Sequence, residues 1–203
     1  MIKFKEFLNF DELRRSTAKQ LQQGKIIGWF QGRSEFGPRA LGNRSIVTAP
    51  FPAEMKDTLN KKVKFREWFR PYAPAVMEEH VEEYFDLPRL RNGKFPESSY
   101  YMLFSAKTRS EKINEIPAVT HVDRSARLQV VSRESNERFY LLIDAFKEFT
   151  GIPVILNTSF NVAGDPIVET PQDAFDTFKK TNIDILVMGD FFVWKEESQL
   201  SLL

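Results

Sequence analysis

The chain has 203 residues, 42% of them hydrophobic and 28% charged, with 29 lysines and arginines against 28 aspartates and glutamates. That balance predicts one globular domain with a sizeable core, and a net charge of +1 gives no global field to draw in nucleic acid or a membrane surface. Cysteine is absent, which excludes disulfides, thiol nucleophiles and zinc–thiolate sites and fits a reducing, cytoplasmic setting.

Ile2–Phe10 is interrupted by Lys3, Lys5 and Glu6, unlike the apolar core of a signal peptide, and no apolar run approaches the length of a membrane span. Asp11 is the expected N-cap of a helix to about Gln23, stopped by Gly24. Lys25–Phe30 reads as a buried strand. It delivers the chain into Gly28–Ser45, which holds Arg33, Arg39 and Arg44 among Gly28, Gly32, Gly37 and Gly42. Glycine lets backbone approach a ligand, and the arginine fork grips phosphate or carboxylate with two parallel bonds. The run therefore reads as a loop built around an oxyanion. It is not a Walker A loop, since no Gly-Lys-Ser/Thr follows.

Ile46–Ala49 is the next expected strand and Ala53–Val63 a helix with Met55, Leu59 and Val63 on one face. Then Lys64, Arg66 and Arg70 alternate with Phe65, Trp68, Phe69 and Tyr72. Such a segment can pack its rings and extend its cations into water, or it can wall a cationic pocket on which a base stacks. The second reading is preferred because this is the second such cluster. Ala73–Met77 continues as a strand, Glu78–Phe85 as a short acidic helix, and Tyr100–Phe104 as a strand. Thr120–Val131 enters a further strand, with Ala126, Leu128 and Val130 on one face and Arg127 and Gln129 on the other. An arginine on a core strand needs an anionic partner from protein or ligand. His121 reads as a core histidine rather than a catalytic one. It stands far from His80, without metal-binding spacing, so no protein metal site is expected.

Arg138–Phe149 has the apolar spacing of a buried helix, ended by Gly151. Ile152–Leu156 is a short strand leading into Asn157, Ser159 and Asn161, which share one side of an extended chain. Neutral amides and a hydroxyl at the carboxyl end of a strand suit ligand binding in an open α/β sheet, though the same residues also favour an ordinary turn. Thr170-Pro171-Gln172-Asp173 is a helix start, and Ile183–Met188 with Phe191–Lys195 forms a hairpin turning at Gly189-Asp190. The last residues, from Glu196, are expected to fray. Many cations, a hydroxyl, several amides and no nucleophile or acid/base pair suit phosphate displacement, where positioning and charge neutralisation supply most of the catalysis.

Four stretches resemble the carboxy-terminal domain of the nodulation-type O-carbamoyltransferases, which carbamoylate antibiotics and lipo-oligosaccharides. They are Gly32–Ile46, Val63–Ala75, Thr120–Asp123 with Ala126-Arg127, and Asn157–Asn161 with Gly164–Val168. The resemblance covers nearly the whole chain in order. It implies a YrdC/Sua5-like α/β fold, an open twisted mixed sheet with flanking helices and a basic central cavity. It implies binding of ATP and carbamoyl phosphate, formation of carbamoyl adenylate, and magnesium brought in with ATP. By position, Lys64, Arg70 and Arg127 would act in catalysis, with Arg39 on the phosphates beside them. Ser159 and Asn161 would line the nucleotide site, with Arg44 and Arg66 as further contributors. Arg124-Ser125 replaces the family's usual Gly-Thr, adding a cation near the cavity mouth, and Ala163 stands where an arginine is common. The family's amino-terminal transferase domain, with its histidine-bound metal, has no counterpart in residues 1–203, so transfer to an acceptor is expected to need a separate domain or subunit. The rival readings are a non-catalytic module that binds RNA or a nucleotide, and an interaction domain silent without its partner.

Overall fold

The computed structural model describes residues 1–65, 67 and 69–196. The first half of the chain runs β1 (Ile2–Glu6), α1 (Phe10–Gln22), β2 (Ile27–Phe30), β3 (Arg44–Thr48), α2 (Met55–Leu59), a π-helical turn (Asn60–Lys64), β4 (Ala73–Met77), a 3-10 turn (Glu78–His80), α3 (Val81–Tyr84) and β5 (Phe85–Asp86). The second half runs β6 (Ser105–Thr108), β7 (Ser125–Arg127), β8 (Gln129–Val131), α4 (Glu137–Thr150), β9 (Val154–Ser159), α5 (Pro171–Lys180), β10 (Ile185–Met188) and β11 (Phe191–Lys195). Eight strands form one sheet in the order β1-β11-β10-β2-β3-β9-β4-β8, and β5-β6-β7 form a second, smaller one. The large sheet is mixed: β10 with β2 and β4 with β8 run parallel, and its other pairs are antiparallel.

Both faces of the large sheet are covered, so its central strands are apolar on alternate residues in both directions. Trp29, Val47, Ile155 and Val187 face one core with Phe139 and Phe146 of α4 and Leu13 and Leu21 of α1. Phe30, Ile46, Leu156 and Leu186 face the other, with Leu59, Tyr84, Phe160 and Phe178. Each such fully buried side chain contributes about 1.5–3 kcal/mol. Gly28 is required by this packing. A Cβ there would lie 2.7 Å from Phe160 Cζ. At Gly42, with φ +112°, a Cβ would lie 2.4 Å from Phe139. These two glycines of the Arg/Gly run serve close packing, while Gly32 and Gly37 meet open space.

Several expectations are corrected. The N-cap of α1 is Asn9, whose side chain accepts from the Asp11 amide, so the helix begins two residues earlier than Asp11 would have it. The helix expected over Ala53–Val63 starts at Met55 and widens into the π-turn from Asn60, leaving Phe65 left-handed at φ 45°. Tyr100–Phe104 is a turn, with Met102 at φ 55°, and the strand there is β6. The strand foreseen across Thr120–Val131 is two strands in two sheets, parted at Leu128, although Ala126, Leu128 and Val130 do share one core. The short strand foreseen over Ile152–Leu156 starts later, at Val154, and runs on to Ser159. His121 is on the surface beside Asp123 (3.3 Å) rather than in the core. Thr170 caps α5 through a reciprocal pair of bonds with Asp173, Gly151 ends α4 at φ 76°, and the hairpin turns at Gly189-Asp190, as the residues predict. The terminal stretch expected to fray lies outside the described residues beyond Glu196.

Candidate functional site

The carboxyl end of β9 is the meeting point. Ser159 is the last residue of β9, opposite Ser45 in β3, and Asn157 sits two residues earlier, between Val47 and Ala73 of the flanking strands. The π-turn redirects the chain after α2 so that Lys64 points inward and is only 3% exposed. Its Nζ donates to the Ser159 carbonyl (2.5 Å), the Asn161 carbonyl (2.9 Å) and Asn161 Oδ1 (2.9 Å). Ser159 Oγ donates to Asn161 Oδ1 (2.7 Å), closing a triangle of lysine, serine and asparagine. A buried ammonium needs such oxygens around it.

Above this triangle lies a polar cleft of about 60 Å³, walled by Arg39, Tyr72, Arg127, Asn157 and Ser159, with Met102 and prolines 38 and 71 on its borders. That volume admits a few waters or a group about the size of a tetrahedral oxyanion. Arg39 arrives on the loop between β2 and β3, Arg127 from the end of β7. Arg39 Nε is buried and meets no hydrogen-bond partner among the described residues. The loop that carries Arg39 is held from within. Glu35 Oε1 accepts from the amides of Leu41 (2.8 Å) and Asn43 (2.6 Å). Gln129 Nε2 donates to the Leu41 carbonyl, and Asn157 Nδ2 to the Ala40 carbonyl. Two elements far apart in sequence, the braced β2–β3 loop and the end of β7, therefore bring two guanidinium groups to one hollow at the end of β9.

The remaining expected site residues lie elsewhere. Arg44 is 4% exposed, and its guanidinium lies 3.7 Å over the Phe30 ring. It donates to the carbonyls of Gln31 (2.8 Å), Asn43 (3.0 Å) and Gly32 (3.1 Å). Burial lowers its pKa, with Glu169 and Glu35 opposing that shift. It braces the loop and has no fork left for a ligand, which corrects its assignment to binding. Arg70 is exposed and faces Glu67 at 3.6 Å, beside the cleft rather than in it. Arg66 and its neighbour Trp68 lie outside the described residues. Arg124 is exposed in a left-handed turn (φ 64°) between His121 and Ser125. Asn157 also lines the cleft, although the sequence assigned it no role there. Its place in the Asn157/Ser159/Asn161 row was the available signal.

The basic cavity is not the large one. A second hollow, about 850 Å³, opens on the other side of the Ala40–Leu41 segment, and its walls include Glu35, Glu78, Glu97 and Glu134 with Lys94. Among the described residues, no group of three or more His, Asp or Glu side chains is arranged to hold a metal ion, and no helix is long and apolar enough to cross a membrane.

The family model of the carbamoyltransferase C-terminus matches residues 18–195. Nodulation protein NolO of Bradyrhizobium diazoefficiens is 48% identical over 94% of this chain, and nodulation protein NolNO of Sinorhizobium fredii is 49% identical over 91%. The chain spans about a third of the first relative (34%) and a quarter of the second (26%). Among solved structures, full-length HypF in its phosphate- and nucleotide-bound form superposes with a TM-score of 0.57 at 20% identity, over 96% of this chain and 22% of that one. Escherichia coli YciO superposes with a TM-score of 0.60 at 13% identity, over 88% of this chain and 78% of that one. These likenesses carry the fold, a YrdC/Sua5-like open mixed sheet with flanking helices.

Proposed function

The chain belongs to the carbamoyltransferase C-terminal family, and from that membership we propose that it binds carbamoyl phosphate and ATP and converts them to carbamoyl adenylate. The overall balance consumes one water and releases phosphate and pyrophosphate. The observation that carries this reading is the cleft at the end of β9, where Arg39 and Arg127 meet Ser159 above the buried Lys64. In this reading, Arg39 and Arg127 hold phosphate oxygens through forked bonds. Lys64, whose three hydrogens are held by oxygens of Ser159 and Asn161, adds its positive charge beneath the cleft, where it stabilises the charge that develops as pyrophosphate leaves. Asn161 orients Lys64 and Ser159, since its Oδ1 accepts from Lys64 Nζ and Ser159 Oγ. The cleft is too small for a nucleoside, which in this reading lies outside it, towards the exposed rings of Phe65 and Phe69, with Arg70 beside them.

Magnesium fits this reading as a companion of the triphosphate. The groups around the cleft are cationic or neutral, and such donors suit phosphate oxygens rather than the metal itself. Transfer of the carbamoyl group to an acceptor is assigned to a separate transferase domain or subunit. The test is pyrophosphate release with ATP, magnesium and carbamoyl phosphate, all three being required. Release that depends on carbamoyl phosphate is the expected result. No release, together with no detectable binding of ATP, overturns the proposal.

A further inference from the structure

Asn157 is 1% exposed, and the backbone around it fixes which way its amide points. Gln129 Nε2 donates to the Leu41 carbonyl (2.8 Å), which leaves Gln129 Oε1 to accept from Asn157 Nδ2 (2.7 Å). The second hydrogen of Asn157 Nδ2 goes to the Ala40 carbonyl (3.1 Å). A backbone carbonyl only accepts, so reversing either amide would set oxygen against oxygen. Asn157 Oδ1 is thereby left as a fixed acceptor. It is shut off from solvent and receives no hydrogen bond among the described residues.

Buried amide oxygens are nearly always met by a donor, and one left unmet at a cleft points to a donor that arrives with the ligand. The phosphoryl end of an acyl phosphate cannot supply it, since it is a fully ionised dianion at neutral pH and carries acceptors only. The carbamoyl group can, because it ends in an NH2. Resting on the reading of this cleft as the carbamoyl phosphate site, we infer that Asn157 Oδ1 accepts a hydrogen bond from the carbamoyl amino group. Asn157 then selects carbamoyl phosphate over acyl phosphates of the same shape. Acetyl phosphate carries a methyl where carbamoyl phosphate carries NH2; bound in the same way, it buries the Asn157 oxygen against a group that cannot donate. Gln129 is a positioning residue in this arrangement, since it holds the Asn157 amide in one orientation.

The experiment compares the binding of freshly prepared carbamoyl phosphate, acetyl phosphate and inorganic phosphate to the unaltered protein by calorimetry, then repeats it with Asn157→Leu and Gln129→Met. The unaltered protein is expected to prefer carbamoyl phosphate over acetyl phosphate by about tenfold or more, the weight of one hydrogen bond to a buried group. Asn157→Leu should bring the two acyl phosphates within about threefold of each other, and Gln129→Met should give an intermediate preference. Equal binding of the two acyl phosphates by the unaltered protein overturns the inference and leaves the anion site standing, and this measurement needs no variant that must fold. A full preference retained in Asn157→Leu also overturns it. If none of the three ligands binds, the reading of the cleft itself has failed.

Discussion

The two hollows on either side of the Ala40–Leu41 segment differ in size and in charge in opposite senses. The larger, about 850 Å³, is walled by four glutamates, and the smaller, about 60 Å³, by two arginines. In the larger, the innermost acids serve the protein's own structure: Glu35 accepts two backbone amides, and Glu78 accepts the Tyr100 hydroxyl at 2.7 Å. In the smaller, Arg39 Nε and Asn157 Oδ1 meet no partner among the described residues. Volume shows where there is room. Unmet hydrogen-bonding capacity next to charge shows where a ligand is needed, and here the two criteria choose different places.

The largest effect expected from that contrast is catalytic. Lys64→Ala should lower carbamoyl-phosphate-dependent pyrophosphate release by about 10²–10³-fold, the range for lost charge stabilisation at a leaving group, since it removes both the buried positive charge and the anchor of the Ser159–Asn161 turn. Glu97→Gln and Glu134→Gln, on the wall of the larger hollow, should each leave the rate within about twofold, as surface changes remote from the reacting atoms do. Steady-state rates of the three variants decide the matter. If the glutamate variants fall as far as Lys64→Ala, the acidic hollow takes part in the reaction and the contrast is wrong.

A second pair separates two arginines that are five residues apart. Arg39→Ala should weaken inorganic phosphate binding by about tenfold or more and leave the urea midpoint unchanged, because it removes a charge-assisted contact to the ligand and none to the fold. Arg44→Ala should cost about 2–4 kcal/mol of stability, since three carbonyls and the Phe30 ring lose their partner. Calorimetry with phosphate and urea unfolding, run on both variants, read the two effects separately.

That pair also marks the limit of what the residues alone reveal. Arg39 and Arg44 stand in one Gly/Arg run with equal claim to an anion, and the order of residues does not tell which is enclosed by carbonyls. The enclosure arises because Arg44 opens β3 beside Gln31 and Asn43 while Arg39 stays in the loop. Signals that act within a few residues were legible: the Thr170/Asp173 cap, the Gly151 stop, the turn at Gly189-Asp190, and strand β4 to the residue. Alternation in Thr120–Val131 correctly gave the buried face, yet it carries no record of which strand pairs with which, and so missed the change of sheet at Leu128. The edge strand β1 was missed for a related reason. All five of its residues are exposed, so no apolar alternation announces it. The Lys64–Ser159–Asn161 triangle was legible as two motifs but not as one contact, because the π-turn that aims Lys64 leaves no distinct mark on helix-forming residues.

The smallest effect tests whether the walls of the larger hollow are as self-satisfied as they look. Tyr100 lies on that wall, and burial, reinforced by its bond to Glu78, pushes its pKa up to about 12. The unfolded chain ionises near the ordinary tyrosine value of about 10. Below that pH both states hold the proton, and the contribution of Tyr100 to stability is fully present. Above it the unfolded state gives up the proton first, so the contribution shrinks as pH rises and is gone once the folded value is passed. Relative to Tyr100→Phe, the unaltered protein should therefore be more stable at pH 8 by about 1 kcal/mol, the weight of one hydrogen bond. That margin should close as pH rises from about 10 towards 12. Urea unfolding at stepped pH measures the margin, and absorbance at 295 nm, taken as the difference between the two proteins, locates the phenol itself. A Tyr100 that titrates near the ordinary value would mean that Glu78 is not tied to it. The larger hollow would then hold a carboxylate available to a ligand, and the contrast between the two hollows would lose one of its supports.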